Sequence, residues 1–280
     1  MPELPEAETI RRQLEGEIVG AKVRGVSVRI ARAAREHQSV GELARLVEGR
    51  RVERVGRRGK ALLLYLDGKK PSTLIIRLGM TGVLRVVPAR EPLDKHTAAV
   101  LALADGRHLR FVDQRQFGSL TARPGHDVDQ LPEFRAYGPE PLSEEFTPQY
   151  LEQALARRSA DLETVLMNQN VVSGIGKIYA DEICFRAGLR PKRAANRLTR
   201  PMRLRLWHAI REVLASAIEC RGSSARDETY TDVYGMPGSF QERLQVYQRA
   251  GEPCPLCGTG IRRAKMPGGR GIHWCPNCQK

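Results

Sequence analysis

A chain of 280 residues can bury a sizeable core, and at about 150 residues per domain it suggests two domains or one domain with an appendage. Its 46 Lys and Arg against 32 Asp and Glu leave a formal charge of +14, an excess that concentrates polyanions and makes nucleic acid the first partner to consider. The sequence has no long apolar run and no strongly amphipathic Lys/Arg helix with exposed aromatics, which argues against a membrane protein, and MPELPEAETI lacks the apolar stretch of a signal peptide, so a cytosolic protein is expected.

In chain order, the first third reads as a short helix followed by strands. Pro5 fits a first helical turn, and Ile10, Leu14 and Ile18 follow at helical spacing. ALLLYL (61–66), TLIIRL (73–78), TAAVLALA (97–104) and RHLRFV (107–112) read as strands, with Asp67-Gly68 and Asp105-Gly106 as turn signals. Short strands at this spacing point to a β-sandwich or barrel. Pro124, Pro132, Pro139, Pro141 and Pro148 then punctuate a polar stretch that reads as an interdomain linker.

Helices follow. Thr147 before Pro148 opens one, and Thr199 before a run with Leu206, Ile210, Val213, Leu214 and Ile218 opens a longer one. Between them, DLETVLMNQ and KIYADEICFRAG flank the turn NVVSGIG. Backbone N–H groups at the start of the second helix can bind a phosphate; an ordinary helix hairpin with Gly174 and Gly176 in tight packing is the alternative.

The end of the chain carries CPLC (254–257) and CPNC (275–278), the spacing of a four-cysteine zinc ribbon in which each knuckle supplies two thiolates to a tetrahedral ion. A pair of disulfides would need an oxidising compartment, for which the sequence gives no sign. Cys254, Cys257, Cys275 and Cys278 are therefore read as ligands of one structural Zn2+, whereas Cys184 and Cys220 lie in helical patterns and read as ordinary buried cysteines. So short a segment cannot build a core, and the metal must supply its folding free energy. Between the knuckles, Arg262, Arg263, Lys265 and Arg270 surround a Pro-Gly-Gly turn, a basic hairpin suited to phosphates or a DNA groove.

Six collinear motifs together resemble the formamidopyrimidine-DNA glycosylase and endonuclease VIII family. PELPE (2–6) is similar to its N-terminal active site, RRGKALLL (57–64) to its lysine strand, RLGMTG (77–82) to its intercalation loop and DQRQFG (113–118) to its second wedge. NVVSGIGKIYADE (170–182) resembles its helix-two-turn-helix, and the tail its zinc finger. The resemblance implies an α+β multidomain protein: an N-terminal β-sandwich with flanking helices (1–131), a linker (132–146), a helical DNA-binding domain (147–240) and a zinc-finger β-hairpin (241–280). It also implies a bifunctional base-excision-repair enzyme acting as a monomer on double-stranded DNA with oxidised bases or abasic sites, without a membrane partner.

By the same resemblance, Pro2 is the nucleophile once Met1 is removed, Glu3 the general acid, Lys60 the residue of β-elimination and Arg270 that of δ-elimination. Met80, Arg115 and Phe117 match the wedge that fills the gap left by an extruded base, and His96 and Lys177 match DNA-contacting positions. Ser223 to Phe240 resembles the segment that covers the lesion. The chain departs from the family pattern at Arg77, Gln114 and Gln116, at Lys177 where asparagine is usual, and at Glu163 where many members carry a lysine. Lys177 is expected to restore part of the phosphate grip that Glu163 removes. The alternatives are an endonuclease VIII-like enzyme for oxidised pyrimidines, disfavoured by PELPE and the wedge set, and a catalytically silent zinc-ribbon DNA-binding protein, disfavoured by Pro2, Glu3 and Lys60.

Overall fold

The computed structural model describes residues 2–224, 230–265, 269 and 271–280. The chain divides into two compact units, Met1–Arg135 with Cys220–Ser239, and Ala136–Glu219 with Phe240–Lys280.

The first unit begins with α1 (Leu4–Ile18), whose Ile10, Leu14 and Ile18 stripe is buried as their spacing requires. After β1 (Val23–Val28) comes α2 (Val40–Val47), capped by Ser39 Oγ, which accepts the Glu42 N–H at 3.2 Å. Seven strands follow: β2 (Val52–Arg58), β3 (Ala61–Leu66), β4 (Ser72–Arg77), β5 (Gly82–Pro88), β6 (Thr97–Leu103), β7 (Arg107–Asp113) and β8 (Ser119–Pro124). They form two antiparallel four-stranded sheets, ordered β1-β6-β7-β5 and β2-β3-β4-β8. A single apolar core takes Leu62, Leu64, Leu66, Leu74 and Ile76 from one sheet and Leu101, Leu103, Leu109 and Phe111 from the other, joined by α1 and α2. Two sheets sharing one core make a sandwich rather than a closed barrel.

The strands read from sequence are β3, β4, β6 and β7, each within a residue of its expected ends, and each is interior to its sheet. β3, β4 and β6 are buried on both faces along nearly their whole length, every residue of β3 included, while β7 buries Leu109, Arg110 and Phe111 at its centre. β1, β2, β5 and β8 are the edges. Arg54, Arg57, Arg58, Arg85 and Arg123, with Pro88 and Pro124, sit on them, as expected where a strand must resist pairing with another chain. The same residues hide the edges from a search for apolar runs.

In the second unit, α3 (Pro148–Ala156) is capped by Thr147, whose Oγ1 accepts the Tyr150 N–H at 3.0 Å. α4 (Leu162–Leu166), α5 (Lys177–Arg186) and the long α6 (Arg200–Glu219) follow. Gln169 holds the turn between α4 and α5: its Oε1 accepts the Gly174 N–H at 2.8 Å and its Nε2 donates to the Ile175 carbonyl at 2.9 Å. β9 (Arg262–Lys265) and β10 (Gly271–Trp274) pair as the expected antiparallel hairpin. Cys184 and Cys220 are buried and unbridged, as read from the sequence. Among the described residues, no helix is long and apolar enough to cross a membrane.

Candidate active site and metal centre

The first unit holds its amino end inside the protein. Pro2 is buried and Glu3 is 1% exposed, although both lie before the first helical turn. Glu6 explains how. Its Oε2 accepts the Glu3 N–H at 2.7 Å, the back-bond of a capping box, and its Oε1 accepts the Ser223 N–H, also at 2.7 Å. One buried carboxylate thus ties the start of the chain to residue 223, just before a segment (225–229) that lies outside the described residues. Gly222 makes the approach possible: its φ is +80°, and a Cβ there would fall 2.6 Å from Glu6 Oε1.

The far side of that segment is anchored as well. Gln13 on α1 donates to Asp232 Oδ2 at 2.9 Å and accepts the Val233 N–H at 3.0 Å. Tyr230 enters the core, donating its hydroxyl to the Arg221 carbonyl at 3.0 Å, and burial pushes its phenol well above the ordinary range.

Lys60 is half-buried in the two-residue connection between β2 and β3, beside Gly59. Arg57 fixes this connection by donating to the Gly59 carbonyl at 2.8 Å while its Nε meets Glu8 Oε2 on α1 at 3.1 Å. Burial pushes the Glu8 carboxyl up, but the guanidinium groups of Arg57, Arg12 and Arg11 outweigh it and hold it below the usual range. Glu8 therefore stays ionised and links α1, which carries Pro2 and Glu3 at its start, to the connection that carries Lys60.

The loops 77–82 and 113–118 touch backbone to backbone. A Cβ at Gly79, where φ is +67°, would lie 2.5 Å from the Gly118 nitrogen. Asp113 is the hub: Oδ1 accepts the Thr81 hydroxyl at 2.6 Å, Oδ2 accepts the Gly118 N–H at 2.7 Å, and its own N–H donates to the His96 carbonyl at 3.0 Å. Thr81 Oγ1 in turn accepts the Arg115 N–H at 3.0 Å, and Arg35 donates to the Gly118 and Phe117 carbonyls at 2.6 and 3.1 Å. On this frame Arg115 is exposed, Phe117 is 42% exposed with the Arg115 guanidinium 5.0 Å from its ring, and Met80 and His96 are half-buried. Gln116, a departure from the family pattern, sits at a left-handed φ of 57°. Met80, Arg115 and Phe117, expected from sequence as contacts, thus lie on two loops locked together, and His96, expected with them, is tied to Asp113 through its carbonyl. Asp113, Thr81 and Arg35, which lock the loops, and Glu6, which anchors the amino end, do not stand out in the sequence. Only the three-residue spacing of Glu3 and Glu6 carried a readable signal.

In the second unit, Lys177 opens α5, but its ammonium is buried. It lies 2.8 Å from Glu163 Oε1 and 2.5 Å from Asp181 Oδ1. Burial, the largest influence, pushes the Glu163 carboxyl above its ordinary value against the pull of Lys177. The neighbouring Glu182 is also raised by burial while accepting the backbone N–H groups of Gln245, Val246 and Tyr247 at 2.9, 3.0 and 2.8 Å.

The sulfurs of Cys254, Cys257, Cys275 and Cys278 all lie within 4.8 Å of one another, and none is in a disulfide. A zinc–sulfur bond of about 2.3 Å sets the edge of a tetrahedron near 3.8 Å. The Cys254–Cys278 and Cys257–Cys275 separations of 3.9 and 3.5 Å fit it. The Cys278 N–H also points at Cys275 Sγ, at 3.4 Å. The donor set and its spacing therefore suit one zinc ion. Arg270 lies outside the described residues.

Comparison with known proteins finds matches along the chain. Residues 1–120 match the formamidopyrimidine-DNA glycosylase N-terminal domain, 137–229 the formamidopyrimidine-DNA glycosylase H2TH domain, and 251–280 the zinc finger found in FPG and IleRS. The formamidopyrimidine-DNA glycosylase of Dechloromonas aromatica is 45% identical over 282 aligned positions that cover all of both chains. The crystal structure of the MutM (Fpg) protein of Thermus thermophilus superimposes with a TM-score of 0.88 at 43% identity, covering 99% of this chain and 98% of that one. A variant of Lactococcus lactis Fpg, solved in complex with Fapy-dG-containing DNA, superimposes with a TM-score of 0.90 at 34% identity over the full length of both.

Proposed function

Because this chain belongs to the formamidopyrimidine-DNA glycosylase family, we propose that the buried amino end built from Pro2, Glu3 and Glu6 is its reaction centre. The protein is a base-excision-repair DNA glycosylase with AP lyase activity, which excises oxidised purines from duplex DNA. It works on DNA as a monomer with one structural zinc. We place it in the bacterial cytoplasm, on the nucleoid. In this reading residues 1–131 carry the chemistry, 132–146 link, and 147–240 and 241–280 grip DNA, except that 220–239 pack with the first unit and serve the reaction centre.

The observation that carries the proposal is the Glu6 carboxylate, which holds the Glu3 backbone and residue 223 together at 2.7 Å each. It fixes the backbone next to the Pro2 nitrogen. While Met1 is attached that nitrogen is an amide and cannot attack. Once Met1 is removed, Pro2 is a secondary amine, and the reference α-amino pKa of about 7.7–8.0 leaves a useful neutral fraction near pH 7. The amine attacks C1′ of the damaged nucleotide, the glycosidic bond breaks and the base departs with its electron pair. Glu3 protonates the sugar ring oxygen, the ring opens and an iminium remains. That cation acidifies the C2′ protons. Lys60 assists removal of one, expelling the 3′ phosphate by β-elimination, and Arg270 assists δ-elimination of the 5′ phosphate.

Met80, Arg115 and Phe117 fill the gap left by the extruded nucleotide, Arg115 facing the orphaned partner base, with His96 as a backbone contact beside them. Cys254, Cys257, Cys275 and Cys278 hold the zinc. Four thiolates leave no open position for water, so the ion shapes the hairpin and takes no part in bond breaking.

Glu3→Gln tests the assignment in single-turnover assays on a duplex with 8-oxoguanine opposite cytosine. Binding should persist while base release falls by about 10²–10⁴-fold. Base release at the wild-type rate would remove Glu3 from the mechanism.

A further inference from the structure

Lys177 matches a family position that meets DNA, yet the structure turns its charge inward. The ammonium is buried between Glu163 of α4 and Asp181 one turn along α5, and both of those residues are 0% exposed. We propose that Lys177 does not touch phosphate but closes an internal charge clamp, Glu163–Lys177–Asp181–His273, which fixes the zinc hairpin on α5 and so acts on DNA through the hairpin. The inference rests on the glycosylase reading for its effect on DNA, and on geometry alone for the clamp.

Three observations support it. A cation at the first position of a helix opposes the helix dipole, so Lys177 has no local reason to be there. The two buried carboxylates supply one. Among the described residues Lys177 is the only cation at ion-pair distance from Glu163, and a buried carboxylate stripped of its single counter-ion is strongly destabilising. Swinging Lys177 out to a phosphate would leave two neighbouring carboxylates buried, a cost that one exposed phosphate contact does not offset.

The second observation is where the network leads. Asp181 Oδ2 accepts both the backbone N–H of His273, at 3.2 Å, and its ring Nδ1–H, at 2.9 Å. His273 lies on β10, two residues before the zinc ligand Cys275. The clamp therefore runs from α4 through α5 into the strand that delivers a metal ligand. The third is the Tyr247 ring, which closes the side: it stands edge-on to the His273 ring at 5.5 Å and 5.8 Å from the Lys177 ammonium. Lys177 is thus a positioning residue.

Lys177→Met, Glu163→Gln and the double variant decide between the clamp and a phosphate contact. For each, zinc release to a chromogenic chelator is timed, and the salt dependence of binding is measured on the duplex with 8-oxoguanine opposite cytosine. The clamp predicts that Lys177→Met releases zinc about tenfold faster and binds about tenfold more weakly at an unchanged salt slope, since no phosphate contact is lost. It predicts that adding Glu163→Gln recovers most of both losses, because the orphaned charge is gone. Glu163→Gln alone should leave the salt slope as it is.

Three results would overturn the clamp: a slope shallower by about 0.9 in Lys177→Met, tighter binding with a steeper slope in Glu163→Gln, or zinc release unchanged by Lys177→Met. Should the wild-type protein fail to nick this duplex, the glycosylase reading falls, and the zinc-release series still judges the clamp.

Discussion

The sandwich and the zinc hairpin hold their residues in place by opposite means. In the sandwich, β3 and β4 are buried along nearly their whole length and share one core with β6, β7 and two helices. Lys60 and the two wedge loops are extensions of strands that would be rigid without them. In the hairpin, β9 is almost wholly exposed, and the apolar cluster beneath the metal site has Phe185, Val246 and Ile261 beside its cysteines. There the geometry depends on the metal and on polar ties such as Asp181–His273. A distributed core fails gradually as side chains are removed; a metal-centred fold fails at once when the ion leaves.

Removing the zinc should therefore have the largest effect. Structural zinc contributes about 10–16 kcal/mol to small metal-dependent folds. Chelation, or Cys275→Ala, is expected to abolish lesion-DNA binding while the calorimetric transition of the first unit persists. Tight binding by Cys275→Ala would erase the contrast between the regions. Leu64→Ala is the matching probe of the sandwich, since Leu64 is 0% exposed in the shared core. It should cost about 2–5 kcal/mol in denaturant unfolding and leave the bound zinc in place. Zinc loss in that variant would mean that the two regions are not held separately.

A smaller effect is expected from Asp113→Ala, which leaves the Gly118 N–H and the Thr81 hydroxyl without their acceptor. About 1–3 kcal/mol of stability should go, and amide exchange at Gly118 should speed up ahead of the strands. Unchanged exchange there would show that the backbone contact at Gly79 suffices. Thr147→Ala removes only a helix cap and should cost about 1 kcal/mol in chemical denaturation without touching DNA cleavage.

The same contrast explains what the sequence displayed. ALLLYL and TLIIRL announce themselves because β3 and β4 are buried on both faces, whereas VERVGRR, an edge strand, reads as a charged loop. The zinc ligands were legible because thiolate spacing is a local property, and the family motifs marked Pro2, Glu3, Lys60 and the wedge positions as chemistry. The residues that hold those groups were not legible. Asp113 joins Gly118 of its own loop to Thr81 and His96, partners distant in sequence, and nothing in its neighbours reveals those two. Lys177 shows the reverse: its place in a motif suggests a phosphate contact, but its ammonium is ion-paired with Glu163, fourteen positions upstream.

The central claim is that a free Pro2 amine, held in place by Glu6, attacks the damaged nucleotide. Borohydride trapping on duplex DNA with 8-oxoguanine opposite cytosine tests it most directly, using protein shown by mass to have lost Met1. The account predicts a covalent adduct that maps to Pro2. No adduct, or one mapped to Lys60 or another amine, would contradict it.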